Sequence, residues 1–386
     1  MLRLIYLDNA ATTRISHEAF EAALWALHDN YGNPSSLHQA GVGAAKVVEK
    51  ARSRIASYIG AMPDEIVFTA GGSEADNLAL RGMAPYLKKI GKTTIITSMI
   101  EHHAVLHTCQ ALEKDGFKVI YMPVDQDGRV DIEELDRVMQ QFKDTLGMVS
   151  IMAVNNEIGS IQLIDDIGDL CQEFGVIFMT DAVQALGHIP LDVNKSHIDL
   201  MAMSGHKINA MKGVGVLYVR RGLEIDPIIT GGGQEHHLRA GTENVPGIVS
   251  MGAAVDFLNK HSTMEKRENV YKCLRKIFLD ELDRLGVEYR VNVDGGVPGI
   301  ISLILPHCES EAMLLLLNEK GVCVSAGSAC TAGSLDPSHV LKALYLDDHE
   351  ASCTIRISMG RDNSSEDMLK AAQAIAESVQ QLRAMM

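Results

Sequence analysis

At 386 residues with 46% hydrophobic content, the chain is long enough to bury a large core and to form two domains or one large one. Its 35 basic and 50 acidic residues leave a net charge of −15, which disfavours nonspecific binding to nucleic acid. No apolar stretch approaches the length of a membrane-spanning helix, and the run before Asp8 is too short for a signal peptide, so the cytoplasm is the expected compartment. The seven cysteines form no Cys-x-x-Cys pair, and an odd, scattered set fits a reducing environment better than a disulfide framework.

The chain opens on a short extended piece running into Leu7-Asp8-Asn9-Ala10-Ala11-Thr12-Thr13. Helical spacing is predicted from about Glu18 to His28 and again from Val42 to Ile59, with a break at Gly32-Asn33-Pro34. From there to about residue 220, short branched runs alternate with amphipathic segments. The runs are Ile66–Thr69, Thr94–Thr97, Lys118–Met122, Met148–Val154, Val176–Met179, Ile198–Met203 and Gly213–Val219. Helices are predicted between the first five at Glu74–Ile90, Ala104–Lys114 and Ile132–Phe142, with another at Asp165–Phe174. Such alternation implies right-handed crossovers and a mostly parallel sheet, with functional groups at the carboxyl ends of its strands.

After Gly231-Gly232-Gly233 the alternation stops. A long helical stretch, roughly Val249 to Leu285, leads out of the first domain. A strand at Gly299–Leu305, a helix at Glu309–Lys320, a small-residue segment from Ser325 to Ser334, a strand at Thr354–Ser358 and a final amphipathic helix complete the chain.

Several strand ends carry chemistry. Gly72 and Ser73 stand between a strand and a helix, where free amide groups could hold a phosphate; a plain capped turn accounts for them equally well. Neither Gly91-Lys92-Thr93 nor Gly41-Val42-Gly43 completes a nucleotide-binding motif. His102 follows a strand in Glu101-His102-His103. His103 and His107 are one helical turn apart, but Ala104 fills the place of the glutamate in a zinc-protease helix, so stacking or proton transfer suits His102 better than a metal. Asp181 closes a buried strand and needs a cation, such as a protonated pyridine nitrogen, unless it only caps the next helix. Lys207, in Ser204-Gly205-His206-Lys207, lies between two apolar runs. Burial favours its neutral amine, which can form an imine with a carbonyl; the alternative is a solvated loop lysine. Arg356 shares the polar face of its strand with Thr354 and Ser358, suited to a carboxylate or to a surface ion pair. Cys330 sits in Ser325-Ala326-Gly327-Ser328-Ala329-Cys330-Thr331-Ala332-Gly333-Ser334, a run too small-sided to pack a core and therefore expected to be mobile. The other six cysteines read as buried packing residues.

Taken in order, these pieces resemble the pyridoxal-phosphate-dependent cysteine desulfurases of the class-V aminotransferase family, over nearly the whole chain. The likeness rests on Leu7 to Thr13, Asn33-Pro34-Ser35-Ser36, Phe68 to Asn77, Glu101-His102-His103 and Val154 to Gly159. It continues through Asp181-Ala182-Val183-Gln184, Ser204 to Lys207, Gly231 to Glu235, Arg239 to Asn244, Gly327-Ser328-Ala329-Cys330 and Arg356-Ile357-Ser358. The resemblance implies a fold-type I transferase: a mostly parallel central sheet flanked by helices, with a smaller α+β domain. It implies a large cofactor-binding domain at residues 15–260, and a small one at 1–14 and 261–386 carrying a cysteine loop at about 325–336.

The roles it implies are specific. Lys207 would anchor pyridoxal 5'-phosphate covalently and move the α-proton. Asp181 would pair with the ring nitrogen, and His102 would stack on the ring and shuttle protons. Gln184 and Asn156 would bond around the phenolic oxygen and the substrate. Gly72, Ser73, Ser204 and His206 would hold the phosphate, with Thr242 reaching in from a second subunit of a homodimer. Arg356, helped by Asn156, would bind the carboxylate of L-cysteine, and Cys330 would take its sulfur as a persulfide for a protein acceptor such as an iron–sulfur scaffold. No intrinsic metal is expected, although Cys330 could transiently ligate a cluster on a partner; no membrane or nucleic-acid partner is expected.

Two departures from the family pattern fall at Ala210-Met211, where Gly-Pro is usual, and at Leu163, where proline is common. The competing readings are a selenocysteine lyase or another lyase or aminotransferase of this fold, and a non-catalytic sulfur carrier. Cys330 argues against an aminotransferase; intact Lys207, Asp181, His102 and Arg356 argue against a carrier.

Overall fold

The branched runs build a seven-stranded sheet whose strands are buried almost throughout. In the computed structural model, residues 4–327 and 338–384 are described. The strands are β1 (Ile5–Tyr6), β2 (Ile66–Thr69), β3 (Thr94–Ser98), β4 (Lys118–Met122), β5 (Leu146–Ser150), β6 (Ile177–Asp181), β7 (Leu200–Ser204) and β8 (Gly215–Val219). They continue as β9 (Arg290–Val291), β10 (Ile300–Ile304), β11 (Val322–Cys323) and β12 (Thr354–Ser358). Helices α1 to α6 span His17–Asp29, Gln39–Tyr58, Gly72–Lys89, His103–Lys114, Ile132–Phe142 and Ile164–Phe174. Helices α7 to α12 span Val245–Lys260, Met264–Arg284, Ser310–Glu319, His339–Ala343, Asp348–Ser352 and Ser365–Arg383. No helix among the described residues is long and apolar enough to cross a membrane.

The large sheet has the order β2-β8-β7-β6-β5-β3-β4. Only β8 runs against its neighbours, so β2, β3, β5, β6 and β7 end at one edge. Successive side chains alternate between the faces. Val67, Leu200, Ala202 and Leu217 meet α3 and α4 on one face. Ile66, Met201, Met203 and Val216 join the core beneath α2, α6 and α7 on the other. A separate core forms where Leu7, Phe278, Ile301, Leu303, Ile355, Ile357 and Ile375 pack together. It lies on the antiparallel sheet β12-β10-β9, with the parallel pair β1-β11 alongside.

Local chemistry shifts two predicted elements. The helical stretch from Val249 to Leu285 is two helices, interrupted at His261-Ser262-Thr263, where Thr263 is extended and starts α8. The run Met148–Val154 stays in the sheet only to Ser150. Beyond it, the Asn155 side chain accepts from the backbone N–H groups of Glu157 and Ile158 at 2.8 and 3.0 Å, forming a turn completed by Gly159 at φ +74°.

The Gly231–Glu235 motif also has a structural reason. Glu235, buried, accepts from both terminal nitrogens of buried Arg52 at 2.9 and 2.7 Å and from the Phe68 amide at 2.6 Å. Arg52 also donates to the Ile66 carbonyl at 2.5 Å. To reach them, Glu235, His236 and His237 all take positive φ. Removing Glu235 would leave buried Arg52 with only the exposed Glu49 as a charged partner, accepting from its Nε at 2.9 Å, and would strip the Phe68 amide of its acceptor. Glu235→Ala is therefore expected to destabilise the fold by about 3–5 kcal/mol in urea denaturation, well beyond a surface change.

Candidate active site

One cavity at the shared strand edge is lined by Gly72, Ser73, His102, Asn156, Asp181, Gln184, Ser204, His206, Lys207 and Arg356. These are the expected site residues apart from Thr242, which is exposed and elsewhere, and Cys330, which lies outside the described residues. Each wall comes from a strand end: α3 begins after β2, His102 follows β3, Asn156 follows β5, Asp181 ends β6 and Ser204 ends β7. Gly72 allows the close approach there, since a Cβ would lie 2.6 Å from the Val183 side chain.

The N-terminal segment threads through this site. Lys207 Nζ donates to the carbonyls of Ala10 and Ala11 at 2.5 and 2.8 Å, and Gln184 donates to the same Ala10 oxygen at 2.7 Å. Thr12 Oγ1 and His206 Nδ1 lie 3.1 Å apart, and Thr13 Oγ1 donates to the His206 carbonyl at 2.8 Å. Asp8 accepts from Arg356 Nη2 at 2.7 Å. Arg356 is almost fully buried; it also donates to the Asn156 carbonyl at 2.9 Å, while its Nε has no partner among the described residues.

The electrostatics favour neutral imidazoles and at least one neutral acid. His102 caps the start of α4, its Nδ1 accepting from the Ala104 amide at 3.1 Å, which assigns its proton to Nε2. Burial, then the charge of Lys207, lower its pKa to about 4. The same two causes bring His206 to about 4. Glu101 is fully buried; burial raises its pKa to about 8 even though Ser98 Oγ and the Met152 amide donate to it at 2.6 and 2.9 Å. Asp181 is also pushed up by burial, against the Val183 amide at 2.8 Å and the charge of Lys207.

Sequence reasoning missed two carboxyls. Asp76, one turn into α3, lines the cavity, is buried and has one oxygen without a partner; burial, then Asp181 and Glu101, raise its pKa well above the usual range. Its available signal was an acid among Ala75, Leu78 and Ala79 on the buried face of the helix. Asp8 had no signal beyond its motif, because its partner lies 348 residues away.

These features pass a test of fit for the expected cofactor. A buried acid at a strand end suits a protonated ring nitrogen, and the buried Ser204 hydroxyl, which has no partner among the described residues, lies with the α3 N-terminus where a phosphate would be received. Of the expected cysteine loop at about 325–336, residues 328 onward, Cys330 included, lie outside the described residues. Both flanks are nevertheless pinned to the site. Ser325 and Arg356 exchange backbone hydrogen bonds at 3.1 and 2.6 Å. On the other side Ser338 Oγ donates to Glu157 at 2.5 Å, and His339 Nε2 donates to the Glu101 carbonyl at 3.0 Å. The departure at Met211 is accommodated: its N–H, which proline would lack, donates to Ser250 Oγ at 3.1 Å.

Comparison with known proteins places the chain. A family model described as aminotransferase class-V matches residues 5–370. The putative cysteine desulfurase IscS 1 of Bacillus subtilis (strain 168) is 45% identical over 381 residues, spanning 98% of this chain and 99% of that protein. Among solved structures, a NifS-like protein aligns with a TM-score of 0.90 at 36% identity, covering 97% of this chain and 99% of its own. SspA in complex with cysteine aligns with a TM-score of 0.80 at 35% identity, covering 92% and 98%.

The raised pKa of Glu101 gives a pH signature. Between about 4.5 and about 8 the folded state holds a proton that the unfolded state releases, so this group's contribution to stability falls as pH rises through that window. Glu101→Gln, which cannot ionise, is expected to remove a decline on the order of a few kcal/mol from the urea-derived stability measured across this range. Parallel pH profiles for variant and parent would contradict the assignment.

Proposed function

This chain belongs to the aminotransferase class-V family and is a cysteine desulfurase, and from that premise we propose how its residues divide the work. The observation that carries the proposal is the convergence of Lys207, Asp181, His102 and Arg356 on one cavity, beside buried polar atoms that lack partners. Pyridoxal 5'-phosphate is the cofactor. Gly72, Ser73, Ser204 and His206 hold its phosphate, Asp181 its ring nitrogen and His102 its ring face. Gln184 and Asn156 attend its phenolic side, and Lys207 is its anchor. When bound, it supplies a carbonyl that captures the substrate amine and a ring that accepts electrons from the α-carbon.

The chain's own groups do the rest. Arg356 takes the carboxylate of L-cysteine through its free Nε edge, while Asp8 and the Asn156 carbonyl keep the guanidinium in place. The Lys207 amine removes the α-proton and returns it on the product side. Neutral His102 offers an Nε2 proton without adding a second positive charge beside Lys207. The Cys330 thiolate attacks the substrate sulfur; a sulfur–sulfur bond forms as the carbon–sulfur bond breaks. L-cysteine and the Cys330 thiol thus become L-alanine and a Cys330 persulfide, which passes its outer sulfur to a protein acceptor such as an iron–sulfur scaffold.

We also read residues 15–260 as the cofactor domain, and 1–14 with 261–386 as the domain carrying Cys330. The separate core around Phe278 and Ile355 supports that division. A cytoplasmic homodimer completes the reading. Phe20, Leu24, Trp25 and Leu27 are half exposed along α1, a surface that association would cover, and Thr242 would act from the second subunit.

Cys330→Ser is expected to abolish alanine and sulfide release in the presence of a thiol reductant, while cysteine still perturbs the cofactor's visible absorption. Sulfide release at the parental rate would exclude Cys330 as the nucleophile. For Arg356→Lys, loss of a charged hydrogen bond worth about 1.5–3 kcal/mol predicts a fall of roughly 10- to 100-fold in kcat/KM, carried mainly by KM for cysteine. An unchanged KM would place the carboxylate elsewhere.

A further inference from the structure

Outside the cavity, at the start of β12, a second group of reactive side chains comes together. His349 and Cys353 are four residues apart at α11, so they share one face, and His349 Nε2 lies 4.0 Å from Cys353 Sγ. The turn after β10 brings Glu309 against them. One ligand atom from each of the three residues lies within 4.8 Å of the others, a clustering of His, Cys, Asp or Glu found nowhere else among the described residues. Cys353 is fully buried, whereas Glu309 and His349 are exposed, which gives a sulfur at the floor and two harder donors at the rim. None of the three lines the active-site cavity.

The surroundings are organised as well. The turn itself is fixed by the Cys308 N–H donating to the Leu305 carbonyl at 3.0 Å, and His307 adopts a left-handed φ of 63° within it. Ser352 Oγ donates to Glu309 at 3.5 Å, steadying the carboxylate. The His307 and His349 rings are 5.8 Å apart, so a second imidazole stands close to the group.

We propose that Glu309, His349 and Cys353 form a binding site for a divalent transition metal of the zinc class, with water or His307 in the fourth position. A tetrahedral ion bound at ordinary zinc–sulfur and zinc–nitrogen distances separates those two ligands by roughly 3.5 Å, so only a small inward movement is needed. The mixed sulfur, nitrogen and oxygen set selects zinc or cobalt over magnesium or calcium, which require oxygen cages. On binding, the metal–sulfur bond replaces the Cys353 S–H bond and the proton goes to solvent; nothing is oxidised or reduced. The ion would tie the turn after β10 to α11 and the first residues of β12. That segment lies between the Cys330 region and Arg356 in sequence, so the site is a staple for the limb joining the two.

The test is zinc titration of the cofactor-loaded, chelator-treated protein against a chromogenic competitor, with cobalt difference spectra to detect a thiolate ligand. One zinc per chain is expected in both the parent and Cys330→Ser, with thiolate-to-cobalt charge transfer in each. Cys353→Ser and His349→Ala should weaken binding by more than the roughly 10- to 100-fold that removal of a supporting outer group costs. Zinc should raise the thermal midpoint of the parent but not of His349→Ala, an exposed change that keeps the test valid if Cys353→Ser fails to fold. The proposal is overturned by the absence of stoichiometric binding, by binding that both substitutions leave intact, or by binding that disappears in Cys330→Ser.

Discussion

The site depends on the burial of acids at the carboxyl edge of a parallel sheet. Asp181 and Asp76 lie out of water in one cavity, and each raises the cost of ionising its neighbour. Isolated charges in such a place are expensive unless a cation meets them. Lys207 supplies part of that field, yet its ammonium is turned to the Ala10 and Ala11 carbonyls. The arrangement favours one ionised and one protonated carboxyl. An acid at the end of β6 is tolerable there if a cationic ligand group completes its pairing, which is what the proposed ring nitrogen would do.

The N-terminal segment explains how two cores share one site. Ile5 and Leu7 belong to the core under the antiparallel sheet, while Ala10 belongs to the core of the large one. Between them, Asp8 holds Arg356, and the Ala10 and Ala11 carbonyls hold Lys207. A short stretch with small side chains can do this because its backbone, not its side chains, makes most of the contacts. Bulkier residues at positions 10 and 11 would separate Lys207 from its acceptors and crowd Gln184.

Much of this was legible in the sequence, for a physical reason. Parallel strands are buried on both faces and therefore read as branched runs, and the polar residues just beyond them fall at one edge. That logic singled out Gly72, Ser73, His102, Asp181, Lys207 and Arg356, most of them with a plain structural alternative beside them, and the resemblance added Ser204, His206, Asn156 and Gln184. Contacts between distant segments were not legible. Arg52 reads as one more charge on an amphipathic helix until Glu235, 183 residues later, reaches it. Asp76 sits on the apolar face of its helix, but nothing in that pattern shows that it opens on the cavity, and nothing in the spacing of Glu309 and Cys353 shows that two chain segments will bring them together. The break at His261-Ser262-Thr263 was hidden because apolar spacing continues on both sides of it.

Sulfur transfer sets a different requirement from the rest of the chemistry. Holding a cofactor calls for fixed groups, and the sheet edge supplies them. Passing sulfur outward calls for a thiol that reaches the substrate and then an acceptor. The positions flanking residues 328–337 fit both needs: Ser325 is hydrogen-bonded to the backbone of Arg356 itself, and Ser338 and His339 are tied to Glu157 and Glu101 behind His102. The two flanks of that segment are therefore tied to Arg356 on one side and to the residues on either side of the cavity's His102 wall on the other. Ten residues span about 33 Å at most when fully extended, so the tethered flanks bound how far Cys330 can stand from Arg356, and the proposed attack on substrate sulfur needs no more than that length.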